Sequence, residues 1–243
     1  MRIFAALAMN DLRSVRRDSL LFYMTLLPWF MVLILRLLTP GIAQWLKAAY
    51  NFGLEPYYPL VLSIFLVLQV PMMYGVVVGF LVLDERDDGT LEALRVTPVS
   101  MTDYAYYRIA VAVFLSVFFI LASLPLSGLA SLSVLPASVP AAVLSGLMSV
   151  VLVLLLVNFA GNKVEGLALM KAFGILMLGP LAAYFINSDW QLLLGILPSY
   201  WPAKAFWAAL AGETVWPFFT AGLFYHLMLV FLLTRRFQAT IGR

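Results

Sequence analysis

The 243-residue sequence has no cysteine, a single histidine (His226) and no Gly-Lys pair. Without cysteine there are no structural disulfides and no thiolate metal ligands, although this says little about compartment. Without Gly-Lys there is no G-x-x-x-x-G-K-[ST] phosphate loop, so this chain has no nucleotide-hydrolysing machinery of that kind. Charge is scarce as well: Asp, Glu, Lys and Arg make up 11% of the residues, against 64% hydrophobic ones. No carboxylate falls near the middle of an apolar run, which argues against a proton relay. His226, near the middle of the last run, therefore reads as a neutral side chain bonded to a neighbouring helix.

What is present is hydrophobic length. A mean hydropathy of +1.00 places the chain in the lipid bilayer, because soluble domains carry far more polar surface. Crossing ~30 Å of hydrocarbon takes about 20 largely apolar helical residues, whose backbone groups bond within their own segment. Six stretches qualify: 20–38, 58–83, 104–124, 140–160, 167–186 and 215–233. Runs such as VLSIFLVLQV are continuously apolar rather than alternating, which excludes a β-barrel. The expected fold is an all-α membrane protein, a single transmembrane domain of six helices. Gly75 and Gly79 in the second span permit close helix approach.

Basic residues in short loops stay cytoplasmic. With the N-terminus inside, Arg2, Arg13, Arg16, Arg17, Arg86, Arg95, Arg108, Lys163, Lys171, Arg235, Arg236 and Arg243 lie on the inner side, and only Arg36, Lys47 and Lys204 outside. This predicts a multi-pass protein of the cell membrane with both termini cytoplasmic. Trp45, Trp190, Trp201, Trp207 and Trp216 then form an outer aromatic belt. Residues 1–19 place Ile3, Phe4, Leu7, Leu12 and Val15 near one helical face, so they predict an amphipathic helix on the inner leaflet rather than a signal peptide. Before span six, the apolar pieces of NSDWQLLLGILPSYWPAKAFWAALAGET are too short to cross and are interrupted by Pro198 and Pro202. They predict a re-entrant or interfacial segment.

Against this background one stretch is anomalous. Asp84, Glu85, Asp87, Asp88 and Glu92, five of the 12 acidic residues, crowd into LVLDERDDGTLEALRVTPVS. Residues 84–103 form a cytoplasmic loop whose negative charge would be repelled by an anionic inner leaflet, so it should face a protein or a cation. Asp87 and Asp88 before Gly89 suit the start of a short helix, which Pro98 ends. A magnesium site for diphosphate chemistry is one reading. The pattern departs from the D-x-x-D-G-x-x-A-R of CDP-alcohol phosphotransferases, however, and no second acidic pair follows. Such an enzyme remains the alternative.

The spacing Glu85-x-x-x-Gly89-Thr90-Leu91-Glu92-x-Leu94-x-x-Thr97-Pro98 resembles the signature of type-2 ABC transporter permeases, the six-span membrane subunits of drug, antibiotic and polysaccharide exporters. EALRVTP and NKVEGLALMK resemble most the permeases of fluoroquinolone exporters. The resemblance implies that residues 84–103 carry a coupling helix, in which Glu85, Gly89, Thr90, Leu91, Glu92, Leu94, Arg95, Thr97 and Pro98 dock into a separate ABC ATPase. Asn162, Lys163 and Glu165 would give a second cytoplasmic contact. It implies no cofactor on this chain, with ATP and Mg²⁺ on the partner ATPase, and a second permease chain forming a homodimer or a related heterodimer. The lipid bilayer completes the surroundings, and no nucleic acid is expected.

Overall fold

A computed structural model describes residues 2–91 and 100–241. These residues form helices, with no strand among them: α1 (Arg2–Arg17), α2 (Ser19–Tyr50), α3 (Glu55–Asp87), α4 (Met101–Leu126), α5 (Leu135–Phe159), α6 (Lys163–Phe185), α7 (Tyr200–Ala211) and α8 (Trp216–Ile241). Six of them, α2 to α6 and α8, are long and apolar enough to cross a membrane. The protein is an all-α, six-span membrane protein.

The buried middle of the bundle is α3 and α5, whereas α2, α6 and above all α8 leave most of their apolar surface uncovered. Close approach of α3 and α5 depends on missing side chains. A Cβ on Gly75 would lie 2.8 Å from the Ser149 carbonyl oxygen, and one on Gly79 would lie 2.6 Å from Leu156 Cδ1. In lipid, where tails are as apolar as leucine, such backbone approach supplies the packing that holds helices together.

Local chemistry sets the element ends. Asp18 leaves the helical conformation between α1 and α2, and its carboxylate accepts the Leu21 amide at 3.0 Å, an N-cap that starts the first span. Ser100 caps α4 in the same way, accepting from the Asp103 amide at 3.0 Å. Asn51, at φ 50°, closes α2.

Three boundaries differ from the sequence reading. The apolar run of span one stops at Leu38, yet α2 continues through Pro40 to Tyr50, giving 32 residues and ~48 Å. Helical bonding persists because proline removes only one amide donor, and Ala43–Ala49 are good helix formers. Likewise α3 runs on past Leu83 to Asp87, so Asp84–Asp87 are its last turn rather than loop, and Asp87 belongs to that helix rather than to the approach to the next. Gly89, at φ +69°, ends it in the left-handed conformation. Finally, Pro202 does not break the segment before the last span. It sits in the first turn of α7, where a missing N–H costs nothing. A 3₁₀ helix, Asp189–Ile196, precedes α7. At 12 residues α7 is too short to span. It packs Ala203, Ala205 and Phe206 inward.

Candidate functional site

Two cationic side chains gather the acids at one end of the bundle. Arg108 stands two turns into α4 and is only 3% exposed. Its Nη1 meets Asp11 Oδ2 of α1 at 2.7 Å, and its Nη2 meets Glu85 Oε1 of α3 at 2.6 Å. Its Nε donates to the Tyr104 hydroxyl at 3.0 Å. That hydroxyl donates in turn to the Glu85 carboxylate, and Tyr107 donates to Asp11 Oδ2 at 2.7 Å. The guanidinium carbon lies 5.0 Å and 5.5 Å from the Tyr104 and Tyr107 ring centres, close enough for cation–π attraction. The rigid donor fork of arginine lets one residue hold two carboxylates on different helices, and both tyrosine hydroxyls bond to those carboxylates. With two acids to one guanidinium, the cluster carries one surplus negative charge.

Lys163, the first residue of α6, makes the second gathering. Its ammonium pairs with the Asp18 carboxylate between α1 and α2, and with Asp84 Oδ2 of α3 at 2.7 Å. Burial alone would raise the Asp18 carboxyl, but the hydrogen bond from Lys163 and the Leu21 amide outweigh it and hold the group below its ordinary value. The Lys163 backbone amide faces Asp87 Oδ2 at 3.3 Å. Asp87 thus lies at the unfavourable end of α3 but at the favourable N-terminus of α6. Arg86 donates to the carbonyls of Val157 (2.9 Å) and Ala160 (3.1 Å), satisfying the free C-terminal groups of α5.

The structure therefore redistributes the expected site. Glu85 is turned inward onto Arg108. Leu91 is buried in the apolar cluster that also holds Val82, Tyr104 and Val157, so it packs against its own chain. Gly89 ends α3, and Thr90 and Leu91 are helical beyond it. Glu92, Leu94, Arg95, Thr97 and Pro98 lie outside the described residues. Asn162 and Glu165 form a reciprocal cap at the start of α6: Asn162 Oδ1 accepts the Glu165 amide at 3.0 Å, and Glu165 Oε2 accepts the Gly161 amide at 2.7 Å. Of the acids in the anomalous stretch, Asp84, Glu85 and Asp87 all serve the fold, and Asp88 is exposed. Among the described residues no three His, Asp or Glu side chains gather as a metal site.

Asp11, Asp18, Tyr104, Tyr107 and Arg108 were not among the expected site residues. A signal existed: an arginine inside an apolar segment calls for an acid partner, and Asp11 and Glu85 are acids assigned to the same end.

Residues 11–234 match the family described as "Fluoroquinolones export permease protein Rv2686c-like". The chain belongs to that family. Over 239 residues it is 40% identical to the fluoroquinolones export permease protein MT2760 of Mycobacterium tuberculosis strain CDC 1551 / Oshkosh, and equally to the fluoroquinolones export permease protein Rv2686c of strain ATCC 25618 / H37Rv. The match covers 98% of this chain and 95% of each relative. No solved structure matches. As a member of this export permease family, the chain is a multi-pass membrane permease and not an enzyme. The phosphotransferase alternative is set aside, since Asp84 and Asp87, the acids of its D-x-x-D pattern, are held by the Lys163 ammonium and the Lys163 backbone amide.

Proposed function

We propose that this permease is the membrane subunit of an ATP-binding-cassette exporter, driven by ATP and Mg²⁺ on a separate ATPase chain and moving an apolar or amphipathic molecule out of the cytosol or inner leaflet. The names of the relatives favour the fluoroquinolones as the cargo class. The observation that carries the reading is the joining of the elements on either side of residues 92–99. On their N-terminal side α3 is tied through Glu85, and on their C-terminal side α4 is tied through Arg108, both to each other and to α1. Lys163 extends the ties to α6 and to the start of α2. A load applied to residues 92–99 by a docked ATPase is thereby shared among five helices. The uncovered apolar faces of α2, α6 and α8 leave room for a second permease chain, and both termini lie in the cytoplasm.

Co-purification with the ATPase, followed by cargo-stimulated hydrolysis, tests this reading. Glu92→Lys with Leu94→Ala should weaken assembly roughly thirtyfold, the effect of truncating one well-packed interface anchor. Leu91→Ala should lower the permease's own thermal stability instead, because Leu91 is buried within it. Wild-type assembly and hydrolysis in the Glu92/Leu94 variant would mean that this stretch does not dock the motor.

A further inference from the structure

An open cleft of about 650 Å³ lies between α1, α2, α3 and α4. Its size falls within the range of roughly 300–1,000 Å³ that holds drug-sized ligands. The walls are largely apolar and rich in aromatic rings: Phe4 on α1, Tyr74 on α3, and Tyr107, Phe114 and Phe119 on α4. It runs along the bundle from the level of Asp11 and Tyr107 to that of Tyr74 and Phe119. Tyr74 lies 11 positions before Glu85 on α3, and Phe119 lies 11 positions after Arg108 on α4, a rise of ~16 Å in each case.

Two features give the cleft a chemical polarity. At the deep end Tyr74 is 1% exposed, and its hydroxyl has no hydrogen-bond partner among the described residues, while its ring packs 4.8 Å from that of Phe119. The other hydroxyls on the wall are engaged: Tyr107 donates to Asp11, and Thr25 to the Leu21 carbonyl. A buried hydroxyl left unpaired is costly, and an incoming acceptor removes that cost. At the other end Asp11 lines the cleft and belongs to the Arg108 cluster, where two carboxylates face one guanidinium. The surplus negative charge there favours a cation.

We infer that this cleft is a cargo site within one permease chain, taking a planar aromatic amphiphile with its carbonyl acceptor at the Tyr74 hydroxyl and a cationic amine toward Asp11. The assignment rests on the export reading above. The apolar walls hold the ring system. A lipid acyl chain would gain nothing from Tyr74, since it offers no acceptor at that depth.

The test uses the full chain in nanodiscs and norfloxacin, an aromatic amphiphile with a carbonyl and a secondary amine, read by its own fluorescence anisotropy. Saturable binding is expected for wild type. Tyr74→Phe keeps the ring and removes the hydroxyl, and should weaken binding about fivefold, the worth of one neutral hydrogen bond. Ala110→Trp and Ala8→Trp each fill the cleft from a different helix at an exposed position, and each should weaken binding more than about tenfold while the protein stays monodisperse. Equal binding by wild type and both Trp variants overturns the cleft and leaves the export reading standing. Absence of saturable binding to wild type overturns both. A phospholipid retained by wild type and lost from the Trp variants in native mass spectrometry, with norfloxacin binding unchanged, makes the cleft a lipid site and overturns the assignment.

Discussion

Arg108 holds together α1, α3 and α4, helices that meet through side chains far apart in sequence, and its removal should be felt well beyond one charge. Arg108→Ala would leave Asp11 and Glu85 facing each other without a counter-charge in a buried place, a loss of about 3–5 kcal/mol. In a chain of this size that corresponds to roughly 10 °C or more of thermal stability in detergent. Arg108→Lys should fall between, because one ammonium cannot reproduce the fork that reaches Asp11, Glu85 and Tyr104 at once. Glu85→Gln should cost less: the amide oxygen keeps the bond from Arg108 and the surplus negative charge disappears, while the amide nitrogen can no longer accept from Tyr104. Thermal unfolding of the four proteins in one detergent decides the matter. An Arg108→Ala protein as stable as wild type would show that the cluster contributes nothing to holding these helices.

At the scale of elements, the α3–α5 contact makes an ordered prediction. Gly75 faces a backbone oxygen that cannot retreat, whereas Gly79 faces the far end of Leu156, which can change rotamer. Gly75→Ala should therefore cost about 1–3 kcal/mol by overpacking, and Gly79→Ala less. Gly174→Ala in α6, with open space around it, should be neutral or slightly stabilising through helix propensity. Denaturation midpoints in the order Gly75→Ala, Gly79→Ala, wild type are the expected result; a reversed order of the two variants would contradict the packing. The six spans could be read from sequence because each is a long apolar run, and lipid imposes helix on such runs. Their ends could not. Charge marked Asp84–Asp87 as loop, yet their backbone bonds continue α3 until Gly89, and the Asp84 and Glu85 side chains find cations that sequence does not pair with them. Lys163 meets Asp18 across 145 positions, a relation that only the packed bundle creates. The anomalous stretch was thus recognisable as special, and its departure from the phosphotransferase pattern was legible too. What escaped was that Glu85 and Leu91 face inward.

At the scale of the whole molecule, the distribution of ions bears on orientation. The buried and half-buried ion pairs, Arg108 with Asp11 and Glu85 and Lys163 with Asp18 and Asp84, all lie at the end of the bundle where α3 stops and α6 starts. Arg86 is anchored there as well, on the α5 carbonyls. At the opposite end the basic residues are few and differently held: Arg36 donates to the Leu126 carbonyl at 3.1 Å, and Lys204 lies 5.8 Å and 5.3 Å from the Trp207 and Phe218 ring centres. Because cationic side chains near span ends are retained on the cytoplasmic side, the crowded end should be the inner one. The absence of native cysteine makes this directly measurable by single-cysteine labelling in intact cells and in inverted vesicles. Asp88→Cys should react only with reagent on the cytoplasmic side. Lys47→Cys and Ser188→Cys, both exposed in the structure, should react only from outside. None of the three side chains takes part in the Arg108 or Lys163 ion pairs, so the substitutions leave the ties between helices intact. Outside labelling of position 88 would put the neighbouring residues 92–99 beyond the reach of any cytosolic ATPase, and the helices tied together at that end would then need a partner on the other side of the membrane.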